Sequence, residues 1–195
     1  MKKYVIIGSV VVGVLLVLLL LVKIFAGPEG TVSTNPVNTE IPAEALEPNF
    51  ESQASGLQVQ GPAGWLKKAD NLGMLVTYLN PEAVEGFQEN ISLAQEPKTD
   101  LALAAYAEES MQQLASFFPG YRLITQTETT VQNLPALRLR YQIDTEVATL
   151  VSEQLIIDRP DSWLVITFIA DQARFEPAYP NLATLEESLV FIEAQ

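Results

Sequence analysis

The strongest constraint on this chain is the run Tyr4–Val22, which carries no charge, is dominated by Val and Leu, and is bounded by Lys2, Lys3 and Lys23. A helix of about 20 apolar residues spans a hydrocarbon core, whereas the apolar part of a cleavable signal peptide is about 7–15 residues long. Ile24-Phe25-Ala26 is also a poor cleavage site, so residues 1–26 are expected to be a cytoplasmic tip and an uncleaved single-pass anchor. Two lysines and the amino terminus precede the run, and no acidic residue appears before Glu29. The excess of positive charge on that side predicts a cytoplasmic N-terminus and an extracytoplasmic C-terminal part.

The rest of the chain is acidic. The whole sequence has a net charge of −13; without the three anchor lysines, 8 basic residues face 24 acidic ones, a balance of −16. Such a surface is repelled by anionic headgroups and by nucleic acid. The sequence contains neither Cys nor His. This excludes disulfides, thiolate nucleophiles, Ser-His-Asp triads and His-ligated metals.

Residues 27–55 carry Pro28, Pro36, Pro42 and Pro48 among Thr, Asn, Ser and Glu without sustained periodicity. They are read as a flexible tether reaching about 30 Å in r.m.s. terms. Residues 56–195 are then one exported domain, near the commonest domain size.

Within it, Leu57–Gln60 alternates apolar and polar, Met74–Leu79 is extended and ends at Asn80-Pro81, and Glu89–Ala94 places Ile91 and Leu93 on one face. Thr99 or Asp100 is expected to cap a helix running to about Phe118, with Leu101, Ala104, Met111, Leu114 and Phe118 as its apolar stripe. Tyr121–Thr130, Ala136–Thr145, Thr149–Asp158 and Ser162–Ala170 read as four further strands. In the second of them Leu137, Leu139, Tyr141 and Ile143 share a face opposite Arg138, Arg140 and Gln142. The last, Trp163–Ile169, is apolar in both registers and is expected at the centre of the sheet. Asp171 is expected to cap a final helix with Tyr179, Leu182, Leu185 and Leu189 as its apolar stripe, ending near Ser188-Leu189-Val190-Phe191. Short connections force antiparallel pairing. The fold class is therefore α+β, an antiparallel sheet of six or seven strands between helices, an α/β/α sandwich preceded by one transmembrane helix.

Gly61-Pro62-Ala63-Gly64-Trp65, Asn90-Ile91-Ser92-Leu93 and Leu134–Tyr141, followed by Phe175 and Ser188-Leu189-Val190-Phe191, occur in an order that resembles the Mog1/PsbP-like superfamily. That superfamily includes PsbP-like photosystem proteins and DcrB-like exported proteins. The resemblance covers about Gly56 to Ile192 and implies an accessory module that assists a larger membrane complex. Asn133 stands where the family often has Gly, and Asn tolerates the left-handed geometry of that turn. The metal sites of some PsbP-type members use His, which this chain lacks.

The candidate chemistry is sparse. Glu108-Glu109 and Glu186-Glu187 are read as solvated helix faces, since adjacent helical positions diverge. Lys67-Lys68 is read as a solvated loop, and Asn90-Ile91-Ser92 as an accidental glycosylation match inside a strand. Asp158 and Asp161 flank the turn at Pro160, where Asp serves the turn itself; a loose calcium site is the alternative, and no calcium-loop spacing is present. Arg138 and Arg140 share a strand face on which Glu128 or Glu153 is expected to pair with them, the alternative being an anion site. Trp65 and Trp163 are read as core plugs, with ligand stacking as the alternative. Arg138, Arg140 and Trp65 are accordingly the interaction candidates; no catalytic residue and no cofactor is assigned. Two functions remain: a membrane-anchored accessory protein with a protein partner, or an exported carboxylate-site enzyme or solute-binding domain.

Overall fold

A computed structural model describes residues 49–192 except 72 and 83–86, with residues 69–71 by backbone alone. The Tyr4–Val22 segment lies outside the described residues, and no helix among those described is long and apolar enough to cross a membrane.

The elements in order are β1 (Asn49–Ser52), β2 (Leu57–Gln60), β3 (Leu66–Asn71), β4 (Met74–Leu79), β5 (Asn90–Pro97), α1 (Leu103–Phe117), β6 (Tyr121–Val131), β7 (Leu134–Asp144), β8 (Thr149–Asp158), β9 (Ser162–Asp171), α2 (Gln172–Glu187) and β10 (Val190–Phe191). Seven strands form one antiparallel sheet in the order β3-β4-β5-β9-β8-β7-β6, and β1-β2-β10 form a second, small one. The expected α/β/α sandwich is found, with β9 at the centre of the seven strands. Central position requires apolar side chains on both faces, and Trp163 through Ala170 are all buried.

The alternation in β7 sorts its side chains as the sequence implies. Leu137, Leu139, Tyr141 and Ile143 pack with Tyr106, Ala107 and Leu114 of α1, while Arg138 and Arg140 point to the other face and reach carboxylates of α2. On that second face Phe175, Ala178, Leu182 and Leu185 of α2 cover Leu155, Ile157, Leu164, Ile166 and Phe168. Leu57 and Val59 of β2 join the same core.

Local chemistry explains several junctions. Trp65 N–H donates to the Pro62 carbonyl at 3.2 Å, and Gly64 at φ 78° supplies the left-handed third position of that turn. At Gly61 an added Cβ would lie 2.1 Å from the Tyr78 ring. The β6–β7 hairpin turns on Gln132 and Asn133, at φ 49° and 67°, the two positive values a tight two-residue hairpin needs. Asp171 caps α2 by accepting from Ala173 N–H at 2.9 Å.

Four expectations are corrected. The stretch before Gly56 is not all tether, because β1 pairs with β2 from Asn49. Lys67 and Lys68 lie in strand β3, not in a loop. Helix α1 starts at Leu103 after Ala102, which makes no side-chain cap; Thr99 instead faces Trp163, whose Nε1 is 3.4 Å from its hydroxyl. Residues 190–191 leave α2 and pair with β2.

Candidate functional site

The paired arginines of β7 lead to the most concentrated charge in the domain. Arg138 and Arg140 lie two residues apart and so point to the same face, toward α2. Glu153 on the neighbouring strand β8 is opposite Arg140 in register and is 2 % exposed. Its carboxylate accepts from Arg138 Nη1 at 2.6 Å, Arg140 Nε at 2.8 Å and the Tyr179 hydroxyl at 2.7 Å. Helix α2 supplies the outer partners. Glu186 takes both terminal nitrogens of Arg138, at 2.9 and 2.7 Å, and Glu176 accepts from Arg140 at 2.9 Å. The Arg140 guanidinium also lies 4.8 Å from the Phe175 ring centre and 5.1 Å from that of Tyr179, within cation–π range.

Each charged side chain in this cluster has an oppositely charged partner, and the electrostatics follow. The hydrogen bond to Glu186 drives the Arg138 guanidinium pKa upward against the opposing effect of burial. For Arg140, burial pulls the pKa down, and hydrogen bonding to Glu153 with the charges of Glu153 and Glu176 outweighs it. Burial, then the hydrogen bond to Glu153, raises the Tyr179 phenol. A buried pair of this kind contributes little net stability relative to an apolar filling, yet removing one member strands an uncompensated charge. The cluster thus acts as a clamp that fixes α2 over β7 and β8.

The other sequence candidates are spread apart. Glu128 is not a partner of the arginines: it lies opposite Leu137, on the α1 side. Trp65 is 6 % exposed and packs in the α2-side core, which removes it from the surface available to a partner. Asp158 forms an ion pair with Lys98, and the Asp161 carboxylate accepts from the Ser162 hydroxyl at 2.9 Å. The Lys98 ammonium takes the place beside Asp158 that a cation would need. No group of three or more metal-ligating side chains occurs among the described residues.

Sequence reasoning missed two buried carboxylates. Glu89, 3 % exposed, is paired with Arg174 of α2 and accepts from Asn80 Nδ2 at 2.8 Å. Glu96 is buried on the α1 side and accepts from the Tyr106 hydroxyl at 2.7 Å. Burial, with the Glu96 charge next, holds the Tyr106 phenol far above its ordinary range. Tyr106 stacks on Trp163 at 4.5 Å, and Lys98 sits 3.4 Å from a Trp163 ring centre. The partners are 9 to 85 residues apart in sequence, and only the arginine spacing and strand adjacency in the Arg138/Arg140/Glu153 set gave a local signal.

The arrangement of sheet, α1 and α2 has known relatives. The family model described as DcrB matches residues 58–182, from β2 to within α2. The chain belongs to the DcrB family. Its fold is shared with cyanobacterial PsbP (CyanoP) from Synechocystis, at 14 % identity and TM-score 0.56, covering 85 % of this chain and 99 % of that one. LpqN of Mycobacterium tuberculosis, described as involved in cell envelope biogenesis, matches at 12 % identity and TM-score 0.57 over 69 % and 82 % of the two chains. PA94 of Pseudomonas aeruginosa, of unknown function, matches at 17 % identity and TM-score 0.53 over 73 % and 94 %. No curated protein matches the sequence. At these identities the three structures show the fold of this DcrB-family chain and nothing of its chemistry.

Proposed function

We propose that this DcrB-family protein is a membrane-anchored extracytoplasmic accessory factor that binds a membrane protein complex and assists its assembly or stability. The N-terminal run inserts as a single-pass anchor with its start in the cytoplasm, and the acidic domain works on the far side. The observation that carries the reading is the pairing of Glu153, Arg138 and Arg140 with one another and with Tyr179, Glu186 and Glu176. The charged groups best placed for chemistry are spent on holding α2 to the sheet. Family membership and the fold shared with CyanoP and LpqN add support. The enzyme or solute-binding alternative calls for converging acids in a deep pocket; the groove beside α1 is lined by a single carboxylate, Glu128.

The test is recovery of partners by the tagged full-length chain in mild detergent at native expression, with and without a neutral replacement of residues 27–48. A reproducible, stoichiometric membrane protein supports the proposal; recovery of the bait alone overturns it. Protease protection of the C-terminal domain in cells whose exported surface is exposed would reverse the orientation.

A further inference from the structure

The sheet has two outer edges, and they differ in chemistry. At one edge β3 carries Lys67 and Lys68, and the Lys67 ammonium donates to the Asn49 carbonyl at 2.7 Å, which holds the start of β1 beside it. The other edge, β6, is eleven residues long and mostly exposed, and pairs only with β7 among the described residues. It contains neither Lys nor Pro, two of the usual devices that keep an exposed edge from pairing. A bulge interrupts its register between Leu123 and Thr125, and from Thr125 to Val131 pairing with β7 is continuous. The free side of that stretch is a regular row of backbone donors and acceptors flanked by threonines, which favour extended backbone.

Beside this stretch lies a groove of about 400 Å³. Its walls include Leu103 and Ala104 at the start of α1, Glu128 and Thr130 of β6, and Pro135 and Leu137 of β7. Glu128 faces this groove side, since it is opposite Leu137, and it makes no ion pair among the described residues. A long basic side chain suits such a site: its aliphatic stem lies along the apolar wall and its cation meets the Glu128 carboxylate.

Charge narrows the occupant further. Most basic groups of the folded part are already engaged: Lys98, Arg138, Arg140 and Arg174 in ion pairs, Arg122 on Gln142 and Arg159 on the Ser55 carbonyl. The outward balance is strongly acidic. A second copy would bring like charge against like charge, and an anionic lipid surface is repelled in the same way.

We propose that the Thr125–Val131 edge of β6 is the docking site, and that its occupant is an extended, positively charged segment of a partner protein added as an eighth strand. Main-chain hydrogen bonds to β6 give affinity, and a basic side chain in the groove at Glu128 gives sign selectivity. This deepens the accessory-factor reading and rests on it.

The experiment uses the full-length chain in phosphatidylcholine nanodiscs and a synthetic peptide of about seven residues in which Thr or Val alternates with Lys. A peptide with Glu in place of Lys, and one with alternate backbone nitrogens methylated, serve as controls. Binding is read by fluorescence anisotropy and by hydrogen exchange along the sheet. The lysine peptide should bind saturably, slow exchange within 125–131, and weaken with added salt. Methylation and Glu128→Lys should each weaken it by about tenfold, with the thermal midpoint of the Glu128→Lys chain unchanged. The proposal is overturned by equal binding of the glutamate peptide, by no binding, by protection elsewhere, or by concentration-dependent protection of β6 without peptide, which would mean a second copy. Failure here with a partner still recovered by the tagged chain removes the docking edge alone; recovery of the bait alone removes the accessory reading itself.

Discussion

The two faces of the seven-stranded sheet solve the burial of polar groups in opposite ways. On the α2 side the charge is concentrated: Glu153 sits among apolar neighbours with three donors on its carboxylate, and the arginines pass the charge outward to α2. On the α1 side a row of neutral side chains crosses the strands, and the buried carboxylate of Glu96 stands apart from it, held by the Tyr106 hydroxyl. Thr77, Ser92, Thr167 and Gln154 are opposite one another across β4, β5, β9 and β8, and all four are buried. The Thr77 hydroxyl and the Gln154 carbonyl oxygen find no partner among the described residues. The difference teaches where a substitution will hurt: a charge cluster fails when one member goes, whereas an orphaned neutral hydroxyl is better removed.

The largest break in this comparison is Glu153→Ala. Two guanidinium groups would then face each other beneath α2 without their shared carboxylate, and unfolding free energy in urea should fall by about 3–5 kcal/mol. A loss below about 1 kcal/mol would mean the cluster is hydrated and not a clamp.

Alkaline pH probes the α1 side next. Burial holds the phenols of Tyr121 and Tyr141 up to about 12, against an ordinary value near 10. The unfolded chain loses these protons first, so the stability they contribute is intact below pH 10 and is lost as pH rises toward 12. Tyrosinate absorbance should therefore rise together with unfolding, and Tyr121→Phe with Tyr141→Phe should flatten the fall. Ionisation of both phenols near pH 10 in the folded protein would contradict the packing of this face.

How much of this was legible in the sequence follows from which residues see their neighbours locally. The β7 alternation and the doubly apolar β9 declared both faces and the sheet centre, because strand periodicity is written over a few adjacent residues. Strands β1 and β3 escaped because they lie at margins: Asn-Phe-Glu-Ser and Leu-Lys-Lys-Ala-Asp-Asn carry too few apolar side chains to show a buried face. Helix α2 forms despite Pro177 and Pro180, its buried side being held by Phe175, Leu182 and Leu185. Of the clamp, Arg138, Arg140 and Glu153 could be anticipated from strand pairing. Tyr179, Glu176 and Glu186 could not, because their role depends on where α2 comes to rest.

Smaller effects sharpen the same contrast. Thr77→Val keeps the side-chain shape and removes an orphaned buried hydroxyl, so it should raise stability by about 1 kcal/mol in urea; a loss of that size would reveal a hidden partner. Glu128→Lys, on the exposed edge strand, should leave stability within about 0.5 kcal/mol.

The most direct measurement removes the charges of the clamp, the exposed Glu176 excepted, without emptying it. In a full-length chain carrying Arg138→Met, Arg140→Met, Glu153→Leu and Glu186→Gln, apolar filling should replace the ion cluster with little loss of stability. If those charges only secure α2, this chain recovers the same membrane partner, in the same amount, as the unaltered protein. A folded variant that has lost the partner, or lost an enzymatic activity of the wild type, would show that the cluster is itself a working site and would contradict the account.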